Sequence, residues 1–143
     1  MKADPDLLKR YLISLLGVRY TYGLNPAGGD DPVGGFDCSG LACEFLRAAG
    51  AVPWNFRMSA QMLYLKYSFQ PHVADFGDLA FYGKDRNHIT HVGICWDSKF
   101  MVEAGGGDAT TQTPEESARK NAFVRIRPIF YRKDFLCFAR PSY

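Results

Sequence analysis

Three residues of this 143-residue chain have the types that nucleophilic hydrolysis needs: a cysteine, Cys38, a histidine, His91, and a carboxylate, Glu103. A thiol is a useful nucleophile only as its thiolate, and a helix N-terminus favours that form through its unpaired N–H groups and positive dipole end. Cys38 sits at such an end. Asp37 before it is a good N-cap, and Gly34, Gly35, Ser39 and Gly40 keep its surroundings small. A substrate carbonyl has room to reach the sulfur, and backbone N–H groups can meet the developing oxyanion. The bland reading of a first-turn cysteine is a small buried core residue, but the context of Cys38 outweighs it.

Of the three histidines, only His91 lies in a well-patterned strand. Val92, Ile94 and Trp96 form one face, and His91, Gly93 and Cys95 the other. Glu103 follows on the next strand, where Phe100, Val102 and Ala104 alternate with Lys99, Met101 and Glu103. A hairpin centred on Asp97, with Trp96-Asp97-Ser98 as a three-residue loop, pairs position 95 with 99 and 91 with 103. A two-residue loop at Asp97-Ser98 puts Glu103 on the wrong face, so the arrangement requires an odd-length loop or a bulge. An acceptor on one imidazole nitrogen would fix the tautomer and stabilise the imidazolium formed when His91 takes the thiol proton. Taken singly, His91 reads equally well as a structural histidine and Glu103 as a strand-end charge.

The elements that position these residues follow from periodicity. Asp4-Pro5 opens a first amphipathic helix that carries Leu7, Leu8, Tyr11, Leu12, Leu15 and Leu16 and stops at Gly17. Residues 18–35, rich in Gly, Pro, Asp and Asn, read as a loop. A second helix spans 38–49 and ends at Gly50, with Phe36 and Leu41 placed as a hydrophobic staple. A third starts near Ser59 and carries Met62, Leu63 and Leu65. Strands are expected at 77–82, 91–97, 99–104, 123–129 and 135–140. Helices first and strands afterwards predict an α+β fold on an antiparallel sheet, with 1–143 as one domain and a monomer.

The bulk numbers agree with a compact domain: 47% hydrophobic, 22% charged and a formal net charge of +2. That charge and the lack of a basic run give no reason to expect nucleic acid. No stretch approaches the ~18 apolar residues of a membrane span, and residues 1–10 lack the apolar core of a secretory signal. Localisation stays open, and phage-type delivery to a cell wall is compatible with such a chain. Cys38 and Cys43 point about 140° apart on one helix and are poorly placed to bridge. His88, His91 and Cys95 are three possible metal ligands, but His88 and His91 face opposite ways on a strand and no paired ligand motif supports zinc. No metal or other cofactor is expected.

The segment Gly35-Phe36-Asp37-Cys38-Ser39-Gly40-Leu41 resembles the nucleophile motif of the NlpC-type cysteine peptidases, bacterial cell-wall endopeptidases with a papain-like core. Residues 17–23 (Gly-Val-Arg-Tyr-Thr-Tyr-Gly) are similar to the family's segment before the nucleophile. Gly77-Asp78-Leu79-Ala80-Phe81 resembles its strand before the histidine, and His91-Val92-Gly93-Ile94 its histidine strand. These four motifs span roughly residues 17 to 104. The resemblance implies a papain-like fold and cleavage of the peptidoglycan stem peptide between D-glutamate and the following diamino acid. It also implies that Glu103 occupies the third catalytic position, that Tyr20 helps form the oxyanion site, and that Asp37 and Ser39 hold the free amino end of the stem peptide. Asp37 also reads as a helix cap, Ser39 as a first-turn hydroxyl and Tyr20 as core. Phe76 departs from the family's usual proline before Gly-Asp, and residues 51–75 are a longer connection than its minimal form. The aromatic residues Trp54, Phe56, Tyr64 and Tyr67 there read as core or as a wall of the groove. Arg125, Arg127 and Arg132 read as a solvated strand face or as attractors of substrate carboxylates. The rival functions are an amidase or acyl transferase on the same fold, and a non-catalytic wall-binding phage tail component.

Overall fold

A computed structural model describes residues 3–25 and 35–143. Helix α1 (Pro5–Ser14) is capped by Asp4, whose side chain accepts the Asp6 N–H at 2.9 Å. It ends before Gly17, whose φ of +88° turns the chain away. Helix α2 (Cys38–Ala48) is capped by Asp37 and buries Leu41, Ala42, Phe45 and Leu46. Phe36 and Leu41, the two expected staple residues, are both buried in the same core cluster. Helix α3 (Ala60–Lys66) is capped by Ser59, which accepts the Met62 N–H at 3.2 Å; it buries Leu63 and leaves Met62 and Leu65 on its outer face.

The remaining chain forms strands β1 (Leu79–Gly83), β2 (Ile89–Cys95), β3 (Phe100–Gly105), β4 (Phe123–Pro128) and β5 (Phe135–Ala139). All pairings are antiparallel, in the order β4-β3-β2-β1-β5. The first four strands are thus a meander, and β5 returns to the free edge of β1. Helix α2 packs on β2 and β3, and α3 on β2. This is the α+β architecture the sequence predicts.

Both faces of the sheet are covered. Leu79, Phe81, Val92, Ile94, Val102 and Ala104 meet the helices, while Ala80, Tyr82, Cys95, Met101 and Phe138 form a second cluster on the opposite face. β1 (Leu-Ala-Phe-Tyr-Gly), buried along its whole length, reads as a short apolar run, whereas β4 alternates apolar residues with Arg125 and Arg127.

The stretch expected to be loop contains ordered structure where it is described. Arg19 bridges Phe123 and Tyr20 bridges Phe36, and the N–H groups of Gly17 and Tyr20 donate to the carbonyls of Val124 and Ala122 at 2.9 Å each. This strap pairs with the outer edge of β4 at its start, around Phe123 and Val124. It also ties the sheet to the approach of α2, because Phe36 N–H donates to Arg19 O. Gly35 makes the turn at φ +95°, where an added Cβ would collide with Arg19 O. Residues 26–34, the rest of that expected loop, lie outside the described residues.

A fourth helix, α4 (Pro114–Lys120), is absent from the expectations. Its start carries a readable signal: Thr113 accepts the Glu116 N–H at 3.2 Å, and Pro114 follows the cap. Its interior hides that signal, since Ser117 is its buried residue and no apolar stripe marks it.

Asp78 closes the fold at the far end of β1. It is 1% exposed and accepts from Arg140 Nε at 2.8 Å, Arg140 Nη2 at 2.9 Å and the Asp75 N–H at 2.7 Å, joining β5 to the start of β1. Asp78→Ala should lower stability in urea unfolding by about 1–3 kcal/mol, the cost of leaving Arg140 Nε and the Asp75 N–H without their acceptor, while Arg140 Nη2 keeps Asp75 Oδ2 at 3.0 Å.

Candidate active site

Cys38 is the first residue of α2, where helix N–H groups have no carbonyl of their own helix to bond. The Asp37 cap sets that end: its Oδ1 accepts the Gly40 N–H at 2.6 Å and the Ser39 hydroxyl at 3.2 Å. Cys38 Sγ lies 3.9 Å from the carbonyl oxygen of Thr90, the neighbour of His91. The β1–β2 register shifts between Tyr82 and Gly83, so that Tyr82 opposes His91 and Gly83 opposes Ile89, leaving Thr90 as the extra residue. This bulge falls beside the sulfur.

His91 is 6% exposed, and its Nε2 donates to Glu103 Oε1 at 2.6 Å. Its ring packs at 5.4 Å, centroid to centroid, on Tyr82. Burial alone would push the His91 pKa down, but hydrogen bonds and charge from Cys38 and Glu103 outweigh it and raise it to about 9. With Nε2 committed to Glu103, Nδ1 is the nitrogen left for the thiol. The arrangement favours an imidazolium beside Cys38 at neutral pH.

Glu103 has no solvent exposure. Burial would raise its pKa, but His91, Arg125 and Tyr131 bring it down to about 2. Arg125 Nε donates to Oε2 at 2.9 Å, and Tyr131 Oη to the same oxygen at 2.8 Å. The buried charge is therefore paired and hydrogen-bonded on both oxygens.

The hairpin joining His91 to Glu103 differs from the expected register. Ile94 pairs with Val102 and Cys95 with Met101, and Trp96 N–H donates to Phe100 O at 2.8 Å. The loop is Asp97-Ser98-Lys99, one residue later than expected, because Asp97 Oδ1 accepts the N–H groups of both Lys99 and Phe100. Its length stays odd, so Glu103 keeps the face of His91. Continuing the register places His91 opposite Gly105, and Glu103 reaches it along the diagonal. Gly105 makes this possible: a Cβ there would collide with Glu103 Oε2 and lie 3.1 Å from Arg125 Nη2.

Tyr20 is 7% exposed and lies against Gly107, where an added Cβ would strike its ring. Burial, together with the charges of Cys38 and Asp37, pushes its pKa upward, so its hydroxyl stays a donor near the sulfur. Asp37 and Ser39 line an open depression of about 270 Å³ beside α2, with Asn25, Arg57, Met58, Ser59 and Met62. The structure thus brings Cys38, His91 and Glu103 together and sets Tyr20, Asp37 and Ser39 around them.

Burial pushes the pKa values of Cys43, Cys95 and Cys137 up. Cys43 is also bonded to the Met58 backbone, with its Sγ 3.4 Å from both Met58 N and Met58 O. The three partly exposed arginines make contacts within the protein: Arg125 holds Glu103, Arg127 stacks on Tyr131 at 5.5 Å, and Arg132 pairs with Asp134 at 2.8 Å over the Tyr82 ring. His88 lies apart from His91, exposed and bonded to Asp85 at 2.7 Å. Of the four aromatic residues named between 51 and 75, Tyr67 is core, Phe56 and Tyr64 pack at the margin, and Trp54 is exposed.

The NlpC/P60 family model matches residues 17–128. The chain belongs to the NlpC/P60 family. An NlpC/P60 family protein of Bacillus cereus has the same fold at 18% identity and a TM-score of 0.72, covering 99% of this chain and 41% of its own. The peptidoglycan hydrolase RipB of Mycobacterium tuberculosis superposes with a TM-score of 0.65 at 24% identity, covering 97% of this chain and 65% of its own. RipD of the same organism, a non-catalytic NlpC/p60 domain protein adapted to peptidoglycan binding, superposes at 0.65 with 21% identity and covers 95% of each chain. This chain thus spans less than two thirds of the first two. No curated protein matches it in sequence. The papain-like fold class expected from the motifs is the one observed.

Tyr131, Tyr82 and Gly105 are site residues that the sequence does not single out, and Arg125, read there as a solvated residue or an attractor of substrate carboxylates, instead holds Glu103. Arg125 was accessible in principle, since it faces Glu103 directly across β3 and β4. Tyr131 was not, because it comes from the turn after β4 and no periodicity relates it to Glu103.

The pair has a pH signature. The raised pKa of His91 gives a stabilisation fully present below its unfolded value of 6.5 and lost as pH rises through about 9. The lowered pKa of Glu103 gives one present above 4.5 and lost as pH falls through about 2. The stability difference between the wild type and Glu103→Gln, measured by chemical unfolding, should be largest between these inner limits and shrink beyond either outer one. In the same measurement at neutral pH, Gly105→Ala should be destabilised, because the new methyl displaces the carboxylate.

Proposed function

We propose that this NlpC/P60 protein is a cysteine endopeptidase that hydrolyses the stem peptide of peptidoglycan at the bond between D-glutamate and the following diamino acid. The carrying observation is the chain of contacts from a helix-terminal thiol through a buried, charge-raised histidine to a fully bonded carboxylate. Family membership and the likeness to a peptidoglycan hydrolase support the substrate class.

In this reading the Cys38 thiolate attacks the amide carbonyl carbon while the carbonyl π pair moves to oxygen. First-turn N–H groups of α2 and the Tyr20 hydroxyl stabilise that oxyanion. Collapse of the intermediate breaks the C–N bond, and the His91 imidazolium gives its proton to the leaving amine. Water then attacks the thioester, losing a proton to His91, and the acyl group leaves as a carboxylate with Cys38 restored. Glu103 keeps its negative charge throughout and orients the ring. Asp37 and Ser39, which line the depression beside α2, receive the amino end of the stem peptide in this reading.

Incubating the protein with defined peptidoglycan fragments and identifying the products by mass spectrometry tests the reading. Cleavage after D-glutamate is expected, with Cys38→Ala folded, wall-binding and inactive by at least about 10³-fold. Wall binding without cleavage by the wild type would instead indicate a binding domain of the RipD kind, and hydrolysis retained by Cys38→Ala would exclude the nucleophile.

A further inference from the structure

One oxygen of Glu103 is enough to orient His91, yet the other is held as firmly. Oε2 accepts from Arg125 Nε at 2.9 Å and from Tyr131 Oη at 2.8 Å, and Tyr131 Oη also lies 3.2 Å from Oε1. The two donors are linked, since Arg125 Nη2 donates to Tyr131 Oη at 3.2 Å. Both guanidinium groups of β4 lie over the Tyr131 ring, Arg125 at 5.9 Å and Arg127 at 5.5 Å. Glu103 is wholly buried, whereas Tyr131 is 39% exposed and the Arg125 side chain 20%. The two side chains form the wall that closes the carboxylate off from solvent.

We propose, on the reading of Cys38 as a nucleophile, that Arg125 and Tyr131 are positioning residues of the site. They grip Oε2 so that Oε1 meets His91 Nε2–H and the carboxylate keeps its charge, which leaves His91 Nδ1 turned to the thiol. Glu103 is faced by His91 from β2, Arg125 from β4, Tyr131 from the turn that follows and Tyr82 from β1, with Arg132 within electrostatic reach. His91 is faced in turn by Cys38 from α2, by Glu103 and by Tyr82, with Asp134 within electrostatic reach. Without Arg125 the buried carboxylate keeps His91 as its one hydrogen-bonded cation, takes up a proton at higher pH and ceases to hold the imidazolium. The ring is then no longer held with Nδ1 toward Cys38, and the thiol loses its oriented base.

The test is the rate at which iodoacetamide alkylates Cys38 in the full chain, followed by peptide mass spectrometry so that Cys43, Cys95 and Cys137 are read separately. Arg125→Met should slow alkylation about tenfold at about pH 5 and leave it nearly unchanged at about pH 10, where thiols ionise without help. Tyr131→Phe, which keeps the ring and removes one donor, should slow it about threefold in the acid range, since a single hydrogen bond is of modest worth. Arg125→Lys returns a charge without the Nε–H and should recover less than half of the loss. Full recovery by lysine would show that charge alone suffices and overturn the positioning role. Acid-range rates equal to wild type in Tyr131→Phe, or in Arg125→Met with only its melting temperature lowered, would make the pair a brace of the sheet and overturn the proposal. No peptidoglycan is involved, so failure to cleave stem peptides counts against the peptidase reading and leaves this result to stand by itself.

Discussion

A carboxylate without solvent exposure must be neutralised where it stands, because an isolated buried charge costs several kcal/mol even after relaxation. Glu103 is such a group, and much of the candidate site answers that constraint. His91 supplies one positive partner and Arg125 another, from the strands on either side of β3. Tyr131 completes the set from the turn beyond β4. The requirement reaches the backbone as well: a diagonal reach from Glu103 to His91 needs an empty position between them, and Gly105 provides it. A fixed anion in turn keeps a buried imidazole protonated, against the tendency of burial alone.

The second constraint is the placement of a helix end against a strand. Helix α2 packs on β2 and β3, so its axis is set by Leu41, Phe45 and Leu46 in the core. Its N-terminus is set by something else, the strap formed by residues 17–21, which is bonded to β4 on one side and to Phe36 on the other. Phe36 leads directly to the Asp37 cap and to Cys38. The sulfur is thereby tied to the same strand that carries Arg125. Nothing in this construction is specific to turnover, and the non-catalytic RipD shares the fold. The proposed chemistry rests on the side chains at the end of α2 and along β2 and β3.

Local signals carried far in this chain. The Asp4, Asp37 and Ser59 caps, the glycine stops and the runs of β-branched and aromatic residues located three helices and five strands to within two residues at nearly every end. They worked because capping and turn chemistry act over a few residues, and a neighbour close in sequence supplies the partner. Helix α4 escaped for a related reason: its cap is legible, but its faces are polar and short, so hydrophobic periodicity was silent.

The sequence by itself determined that Cys38 opens a helix, that His91 and Glu103 sit on neighbouring strands, and that four motifs stand in the order of the NlpC/P60 family; whether the two side chains share a face hung on the parity of the loop between them. Tertiary structure decided the rest. The hairpin loop moved by one residue because Asp97 bonds to two N–H groups of the turn, and a slip of one in an odd loop changes the partner while preserving the face. That outcome turned a directly opposed pair into a diagonal one. Arg125 and Tyr131 were assigned to Glu103 only once β4 and the turn after it had folded back beside β3. A side chain's partner across a sheet depends on register and chain return, and these are set by packing over the whole molecule, beyond what any window of sequence contains.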